Sequence, residues 1–230
     1  MDIHKPKAAH NLREFAIELG TIVCGILIAL GLEQAVEWAH WQQEVAEQRE
    51  RIEAERSSIV GAMNSRSVLE GCIHRRLEDV STIIDRHDAG RPLNIIGPVG
   101  RPTYNSASTA AWTTAIANHA VSHMPAEEQA NLADTYLGYE AFTLLTNNER
   151  DAWRSLQIID YGAKLTPQEW SEVRRAFVAA RDADVVIDLD LKPSAPGNWR
   201  QGFERVKPAP PMDFRGEPHV HALCQPMLKK

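Results

Sequence analysis

The sequence predicts an all-α protein: an N-terminal transmembrane helix continues into a long amphipathic helix, and a helical-bundle domain and a proline-rich C-terminal tail follow. An uncharged apolar run at residues 19–32 predicts the transmembrane helix, and apolar residues at helical spacing predict the bundle. Seven of the 13 prolines follow residue 192, which indicates an extended tail. The predicted regions are a cytoplasmic tail at 1–14, the transmembrane helix at 15–38, a helical extracytoplasmic domain at 39–192 and an extended proline-rich tail at 193–230.

The apolar run at residues 19–32 reads LGTIVCGILIALGL. As a helix it spans about 21 Å, less than the roughly 30 Å of bilayer hydrocarbon. Apolar flanks extend it from Phe15 to Trp38, or about 36 Å, which is enough to cross. Trp38 and Trp41 then lie at the membrane interface, where aromatic rings are enriched. A cleaved signal peptide and a buried helix of a soluble protein are the alternatives, but the best small-residue cleavage pair falls inside the apolar core.

The charges that flank this run predict its orientation. Lys5, Lys7 and Arg13 precede it, and the next basic residue is Arg49. Because positive charge is retained on the cytoplasmic side, the N-terminus is expected in the cytoplasm and the main domain in the periplasm. The predicted location is the bacterial inner membrane, with the lipid bilayer as a partner.

Small residues form a stripe along the apolar run. Thr21, Gly25 and Ala29 are spaced by four residues, and Glu18 falls on the same stripe. Small side chains allow two helices to approach closely in lipid, and a polar group is better placed against protein than against lipid. The stripe predicts a helix–helix contact, with a second copy or with a larger membrane protein. The alternative is an anchor that carries small residues without any partner.

A charged segment without Gly or Pro follows the two tryptophans and predicts a continuing helix. From Trp38 onward, apolar residues recur every seven positions and form a narrow seam, which comprises Trp38, Val45, Ile52 and Ile59. Polar Gln48 and Glu55 occupy the complementary seam, so an amphipathic stalk is favoured over a coiled coil. A second helix with apolar residues from Leu69 to Ile84 is expected to end at Gly90.

Local signals place three more helices. One begins near residue 106 or 108 and runs to about His123. The next begins at Pro125 and ends at Gly162, and residues 146–148 suggest an interruption in it. Thr166-Pro167-Gln168-Glu169 is a capping box that opens the last one. Around residues 184–191 the apolar period is ambiguous, and we expect helix followed by extended chain.

Two segments of the chain resemble an uncharacterised bacterial family of single-pass, membrane-anchored helical proteins. The first is REFAIELGTIVCGILIALGLEQAVEW, which is similar to that family's EF..E...IV.GILIAL.L...EW anchor. The second resembles its middle, where a Trp-bearing helix leads into Met-Pro and a Tyr-bearing helix. The residues that match there are Ser108, Trp112, Ala115, Met124, Pro125 and Tyr136. The resemblance extends from about Arg13 to Leu156, and it implies topology and fold only, because the family has no established activity.

The polar residues carry no recognisable catalytic motif, and no cofactor is expected. His119 and His123 are weak metal candidates at i and i+4, since zinc needs a third protein ligand and histidines in a last helical turn also bond free carbonyls. His219, His221 and Cys224 form a second weak cluster. The aspartates between residues 182 and 190 lack the spacing of a calcium loop, and a solvated face is expected for them.

The three cysteines are Cys24, Cys72 and Cys224, and none forms a CxxC motif. Cys24 falls within the predicted transmembrane helix. If the rest of the chain lies in an oxidising compartment, Cys72 and Cys224 are expected to form a disulfide. The alternative is a loose tail with two free or intermolecularly linked thiols.

Composition and topology together predict a membrane-tethered interaction or scaffold module, accessory to a membrane or envelope partner. The formal net charge of −6 argues against nucleic acid as a partner. The alternatives are an extracytoplasmic ligand-sensing domain and a hydrolase of unrecognised type. A flat apolar face favours the first function, whereas a deep pocket with converging polar groups favours the other two.

Overall fold

A computed structural model describes residues 12–103, 107–192, 202–203, 206–207, 209–210 and 217–229. Over these ranges the chain is helical, with no strand and one isolated antiparallel bridge between Ile95 and Leu228. The all-helical prediction is therefore confirmed for the described residues. The six α-helices are α1 Leu12–Val68, α2 Glu70–Asp88, α3 Ala110–Ala117, α4 Ala126–Leu156, α5 Pro167–Leu191 and α6 Pro218–Cys224.

The chain divides into two compact units, at residues 1–48 and 49–230. In the first unit the described residues belong to the N-terminal part of α1, and the predicted tail falls largely outside the described residues. Among the residues described, α1 is the one helix that is long and apolar enough to cross a membrane. None of its most apolar 18-residue window is buried. Long apolar side chains such as Ile22 and Leu27 are exposed along it.

The second unit has a core built mainly by α2, α4, α5 and α6. The apolar positions of α2 that the sequence indicates as one face are buried, including Ile73, Leu77 and Val80. Trp153 of α4 is completely buried among them. Burial of such a large aromatic side chain is among the strongest apolar contributions to a fold. The core members are Leu69, Ile73, Leu77, Val80, Ile83, Val99, Ala152, Trp153, Leu156, Ile159, Trp170, Val173, Ala176, Ala180, Val220, Leu223 and Met227.

Helix α4 is continuous through the predicted interruption near 146–148, so that expectation is wrong. The Thr146 hydroxyl donates to the Thr143 carbonyl at 3.0 Å and is satisfied within the helix. Phe142 and Glu149 on either side are buried. Packing of α4 along α5 outweighs the weak helix propensity of Thr and Asn in this stretch.

The helix that was expected to reach His123 ends early, because α3 stops at Ala117. His119 adopts a left-handed conformation with φ of 65°, and a 3-10 turn at Ala120–His123 follows. The Asn118 side chain accepts from the Ala120 N–H at 3.2 Å, which offers the backbone an alternative to the helical hydrogen bond. His119 and His123 are therefore not neighbours on one continuous helix face.

Helix α5 begins at the predicted capping box. The Thr166 N–H donates to Glu169 Oε2 at 2.6 Å, and the Glu169 N–H donates to the Thr166 hydroxyl at 3.3 Å. The helix continues to Leu191. This agrees with the helical interpretation of the ambiguous stretch at 184–191.

Residues 217–229 pack against α2 within the second unit, and they contain a short helix, α6, where an extended tail was expected. Arg76 is buried, and its guanidinium donates to the carbonyls of Pro98 and Ala222, the latter at 2.8 Å at the end of α6. Gly100 has φ of 66°, and a Cβ there would lie 2.5 Å from the Leu223 backbone nitrogen. Close backbone approach and a positive φ both require glycine at this position.

Cys72 and Cys224 form a disulfide with their Cα atoms 4.8 Å apart, which agrees with the predicted pair. The bond joins α2 to the end of α6 across a sequence separation of 152 residues. Val220, Leu223 and Met227 are buried beside it. The C-terminal segment is thus held by a covalent bond as well as by apolar packing.

Candidate functional site

An open groove lies between α3 and α4, with a volume of about 1210 Å³. Its walls are mainly apolar, and Glu140 is the one charged residue among its described lining residues. The larger apolar side chains are Trp112 and Ile116 on α3, and Leu137 and Leu144 on α4. An exposed apolar groove of this kind is typical of a binding surface.

The α4 wall follows from helical periodicity. Ala133, Leu137, Ala141 and Leu144 recur every three or four residues and therefore share one face. Leu137 is 67% exposed and Leu144 is 62% exposed, while Ile116 across the groove is 50% exposed. Helix α4 consequently carries one apolar face in the core and a second that faces solvent.

A tertiary contact positions the α3 wall. Thr109, the residue before α3, makes no side-chain capping bond. Glu55 of α1 takes that role, because its carboxylate accepts from the Ala111 N–H at 2.8 Å and the Trp112 N–H at 3.2 Å. A carboxylate at a helix N-terminus satisfies free N–H groups and interacts favourably with the helix dipole. Sequence reasoning missed this role, because Glu55 lies more than 50 residues before α3.

Glu55 also links α3 to α4 through an aromatic pair. The Tyr136 hydroxyl donates to Glu55 Oε1 at 2.7 Å, and the Tyr136 ring stacks on Trp112 with centroids 5.0 Å apart. Burial raises the pKa of the Tyr136 hydroxyl, and the hydrogen bond to Glu55 raises it further. Tyr136 therefore stays protonated as a donor, and the base of the groove is a fixed aromatic surface.

A second tyrosine fixes the segment that enters α3. The Tyr139 hydroxyl accepts from the Ala107 N–H at 2.8 Å, and its ring is buried beside Phe142. Burial raises the pKa of this hydroxyl as well. Both tyrosines belong to α4, so the same helix supplies one wall of the groove and holds the other wall in place.

A buried ion network ties α1, α4 and α5 together behind the groove. Arg66 donates to Glu149 at 3.2 and 2.8 Å and to Asp184 at 2.7 Å. Burial raises the pKa of Glu149, and the charge of Arg66 opposes that effect. The expectation of a solvated face for the aspartates is wrong at Asp184, which is buried. Its partner Arg66 lies 118 residues away, beyond the reach of local sequence patterns.

The predicted anchor stripe lies in the first unit. Thr21 donates its hydroxyl to the Ile17 carbonyl at 2.8 Å within the helix, and the Gly25 position has open space around it. Glu18 and Ala29 are exposed on the same helix, as is the interface residue Trp38. The helix–helix contact and the membrane-interface role of Trp38 and Trp41 stay predictions.

The described lining of the groove does not include the other predicted ligand groups. Cys24 is a free, exposed thiol in the first unit. His119 and His123 flank the 3-10 turn after α3, so the shared-face argument for a metal site at these two residues is lost. His219 and His221 lie on α6 and are exposed.

The described part of the chain defines an all-helical protein with one helix able, by length and composition, to cross a membrane. Comparisons with protein-family models, with curated proteins and with solved structures found no match. The resemblance of residues 13–156 to a membrane-anchored bacterial family therefore stays a prediction.

Proposed function

We propose that this protein is a membrane-tethered interaction module whose α3–α4 groove binds an amphipathic helix of a membrane or envelope partner. The observation that carries the proposal is a row of exposed apolar side chains on α4, across the groove from Ile116. The members of this α4 row are Ala133, Leu137, Ala141 and Leu144. Three bulky aliphatic side chains at least half exposed in one groove are costly in water, and covering them with a partner removes that cost.

The polar groups of the groove favour apolar binding over a small polar ligand. The Thr113 hydroxyl donates to the Thr109 carbonyl at 2.9 Å, and the Thr143 hydroxyl donates to the Tyr139 carbonyl at 2.9 Å. These hydroxyls are used within their own segments. Because the groove is open and these two hydroxyls are engaged, it supports contact with an apolar surface better than enclosure of a small molecule.

The dimensions of the groove fit a helix. The α4 row from Ala133 to Leu144 extends about 17 Å, or three helical turns. A partner helix with apolar residues at i, i+4, i+7 and i+11 matches this length, as in other helix-in-groove complexes. Glu140 is exposed at the groove and favours a basic residue at the edge of the partner's apolar stripe.

The anchor is the second part of the proposal. An uncharged apolar helix followed by Trp38 and Trp41, with Arg13 before it, supports one membrane crossing with the N-terminus in the cytoplasm. The groove domain then lies in the periplasm, attached to the inner membrane. Attachment confines the domain to the membrane surface and raises its effective concentration near membrane partners.

Site-specific photo-crosslinking tests the groove. A photoreactive amino acid at position 137, in the full chain expressed in native membranes, should give a discrete adduct whose crosslinked peptide maps to an apolar helix. The Leu144→Arg substitution should abolish that adduct, because it places a charge in the apolar row. Leu189 is a matched control, since it is also an exposed leucine but lies on α5.

Equal adducts from positions 137 and 189, or an adduct that persists with Leu144→Arg, would overturn the groove assignment. A crosslink between two copies of this chain would show that the groove mediates self-association and does not bind a different protein.

Membrane fractionation tests the anchor separately. The uncleaved chain should stay in the membrane pellet after an alkaline carbonate wash, and a reporter active only in the periplasm should be active when fused after residue 60. Release of the chain by carbonate, or an inactive reporter in a fusion that is expressed, would contradict the topology.

A further inference from the structure

A cluster of metal-ligating side chains lies between α2 and α5, in the same unit as the groove but on other residues. Glu70 and His74 are one turn apart on α2, and Asp188 faces them from α5. One ligand atom from each of these three residues lies within 4.8 Å of the other two. Two helices thus contribute an imidazole nitrogen and two carboxylates to one small volume.

The distance between His74 and Asp188 matches the ligand spacing around a tetrahedral ion. Ligands bound to zinc at about 2.0–2.2 Å in tetrahedral geometry are roughly 3.3 Å apart. The His74 Nε2 and Asp188 Oδ2 atoms are 3.4 Å apart. Asp184 Oδ2 is 3.0 Å from the same nitrogen. Asp184 therefore places a third carboxylate either to complete the coordination or to bond an ion-bound water.

The charge balance around the cluster also favours a cation. Arg66 is the nearby guanidinium, and it is already hydrogen-bonded to Glu149 and Asp184. The carboxylates of Glu70 and Asp188 lie close together, with an oxygen of each within 4.8 Å of the other. Two adjacent carboxylates repel each other unless a proton or a cation lies between them.

We propose that Glu70, His74 and Asp188 bind a divalent transition-metal ion of the zinc type, with Asp184 held beside them. Mixed nitrogen and oxygen ligands suit Zn²⁺, which binds His and Asp or Glu in tetrahedral sites. The Arg66 bond to Asp184 Oδ1 at 2.7 Å orients this carboxylate, as outer partners orient the groups around a metal. The ion joins α2 to α5 and stabilises the domain, independently of what the groove binds.

Zinc titration of the metal-free full chain in mild detergent tests the site. Isothermal titration calorimetry should give one Zn²⁺ per chain for the wild type. The His74→Ala and Asp188→Asn variants should bind at least 30-fold more weakly, because each removes one of three ligands. His221→Ala is the matched control, since His221 is another exposed histidine and its loss should leave the affinity unchanged.

Thermal unfolding provides a second readout that separates a metal site from an ion-pair network. Zinc at 100 times the wild-type Kd should raise the Tm of the wild type by about 5–11 °C and that of Asp188→Asn by at most about a third as much. Without zinc, Asp188→Asn should unfold at or above the wild-type temperature, because it removes the repulsion with Glu70.

Equal zinc affinity of His74→Ala and the wild type would overturn the proposal. So would a wild-type Tm that does not respond to zinc. A Tm of Asp188→Asn that falls without zinc would show that His74 and Asp188 act only as an ion pair.

Discussion

Replacing Arg66 with Met is expected to destabilise the domain by about 3–5 kcal/mol, the usual cost of breaking a buried ion pair by removing one partner. Met retains much of the length of the side chain but removes three hydrogen bonds, two to Glu149 and one to Asp184. Glu149 is 0% exposed, so its carboxylate has no access to water once the guanidinium is gone. The loss therefore includes uncompensated burial of charge as well as the loss of the bonds.

Arg49, which also lies on α1, provides a matched control for the effect of burial. Arg49 also donates two hydrogen bonds to one carboxylate of α4, at 2.7 and 2.6 Å to Glu128. This pair is on the surface, with side chains 45% and 30% exposed. Exposed ion pairs contribute only about 0.2–1 kcal/mol, so Arg49→Met should cost at least 2 kcal/mol less than Arg66→Met.

Urea denaturation of the full-length variants in mild detergent, followed by circular dichroism, measures both costs. The cost of Arg66→Met should also shrink as the pH is lowered from 7 to 5. Burial already raises the pKa of Glu149, and the variant removes the Arg66 charge that opposes this effect, so protonation of Glu149 at lower pH relieves the buried charge. If the two substitutions cost the same within about 0.5 kcal/mol, or if the cost of Arg66→Met does not depend on pH, burial does not determine the strength of these pairs.

Three further outcomes are expected. Replacing Cys72 and Cys224 together with Ala should lower the free energy of unfolding by up to about 5 kcal/mol, because the bond closes a long loop in the unfolded chain, and reduction of the wild type should reproduce this loss in urea denaturation. Gly100→Ala should lower the Tm by several degrees, since a Cβ meets the backbone of Leu223 and φ is positive, whereas Gly71→Ala, with open space around it, should not lower the Tm. The pKa of Glu169 is lowered by its hydrogen bonds from the Thr166 backbone and side chain, so its capping contribution is present above the ordinary glutamate pKa and is lost as the pH falls through the lowered folded value. A Tm difference between wild type and Glu169→Gln that stays constant from pH 7 to pH 2 would contradict this last expectation.

Features that depend on near neighbours were accessible from the sequence. The capping box of α5 lies within four consecutive residues, and its two hydrogen bonds form as expected. The disulfide followed from counting, because Cys24 falls within the apolar run and only Cys72 and Cys224 are left to pair. The interaction-module function stays a prediction, and the sequence did not indicate the groove between α3 and α4.

Local propensity was misleading where tertiary packing opposed it. Residues 146–148 suggested a break in α4, yet the helix is continuous because it packs along α5. The spacing of His119 and His123 suggested one helix face, yet the backbone turns at His119.

The sequence by itself determined the helical class, the apolar N-terminal segment, the start of α5 and the cysteine pair, because each depends on composition, on periodicity or on residues a few positions apart. Tertiary structure decided the rest. Glu55 caps α3, Arg66 joins Glu149 to Asp184, and Asp188 meets His74 only because helices far apart in the chain pack together. A polar residue gives the same local signal whether it faces water or a distant partner, and only the packed fold distinguishes the two.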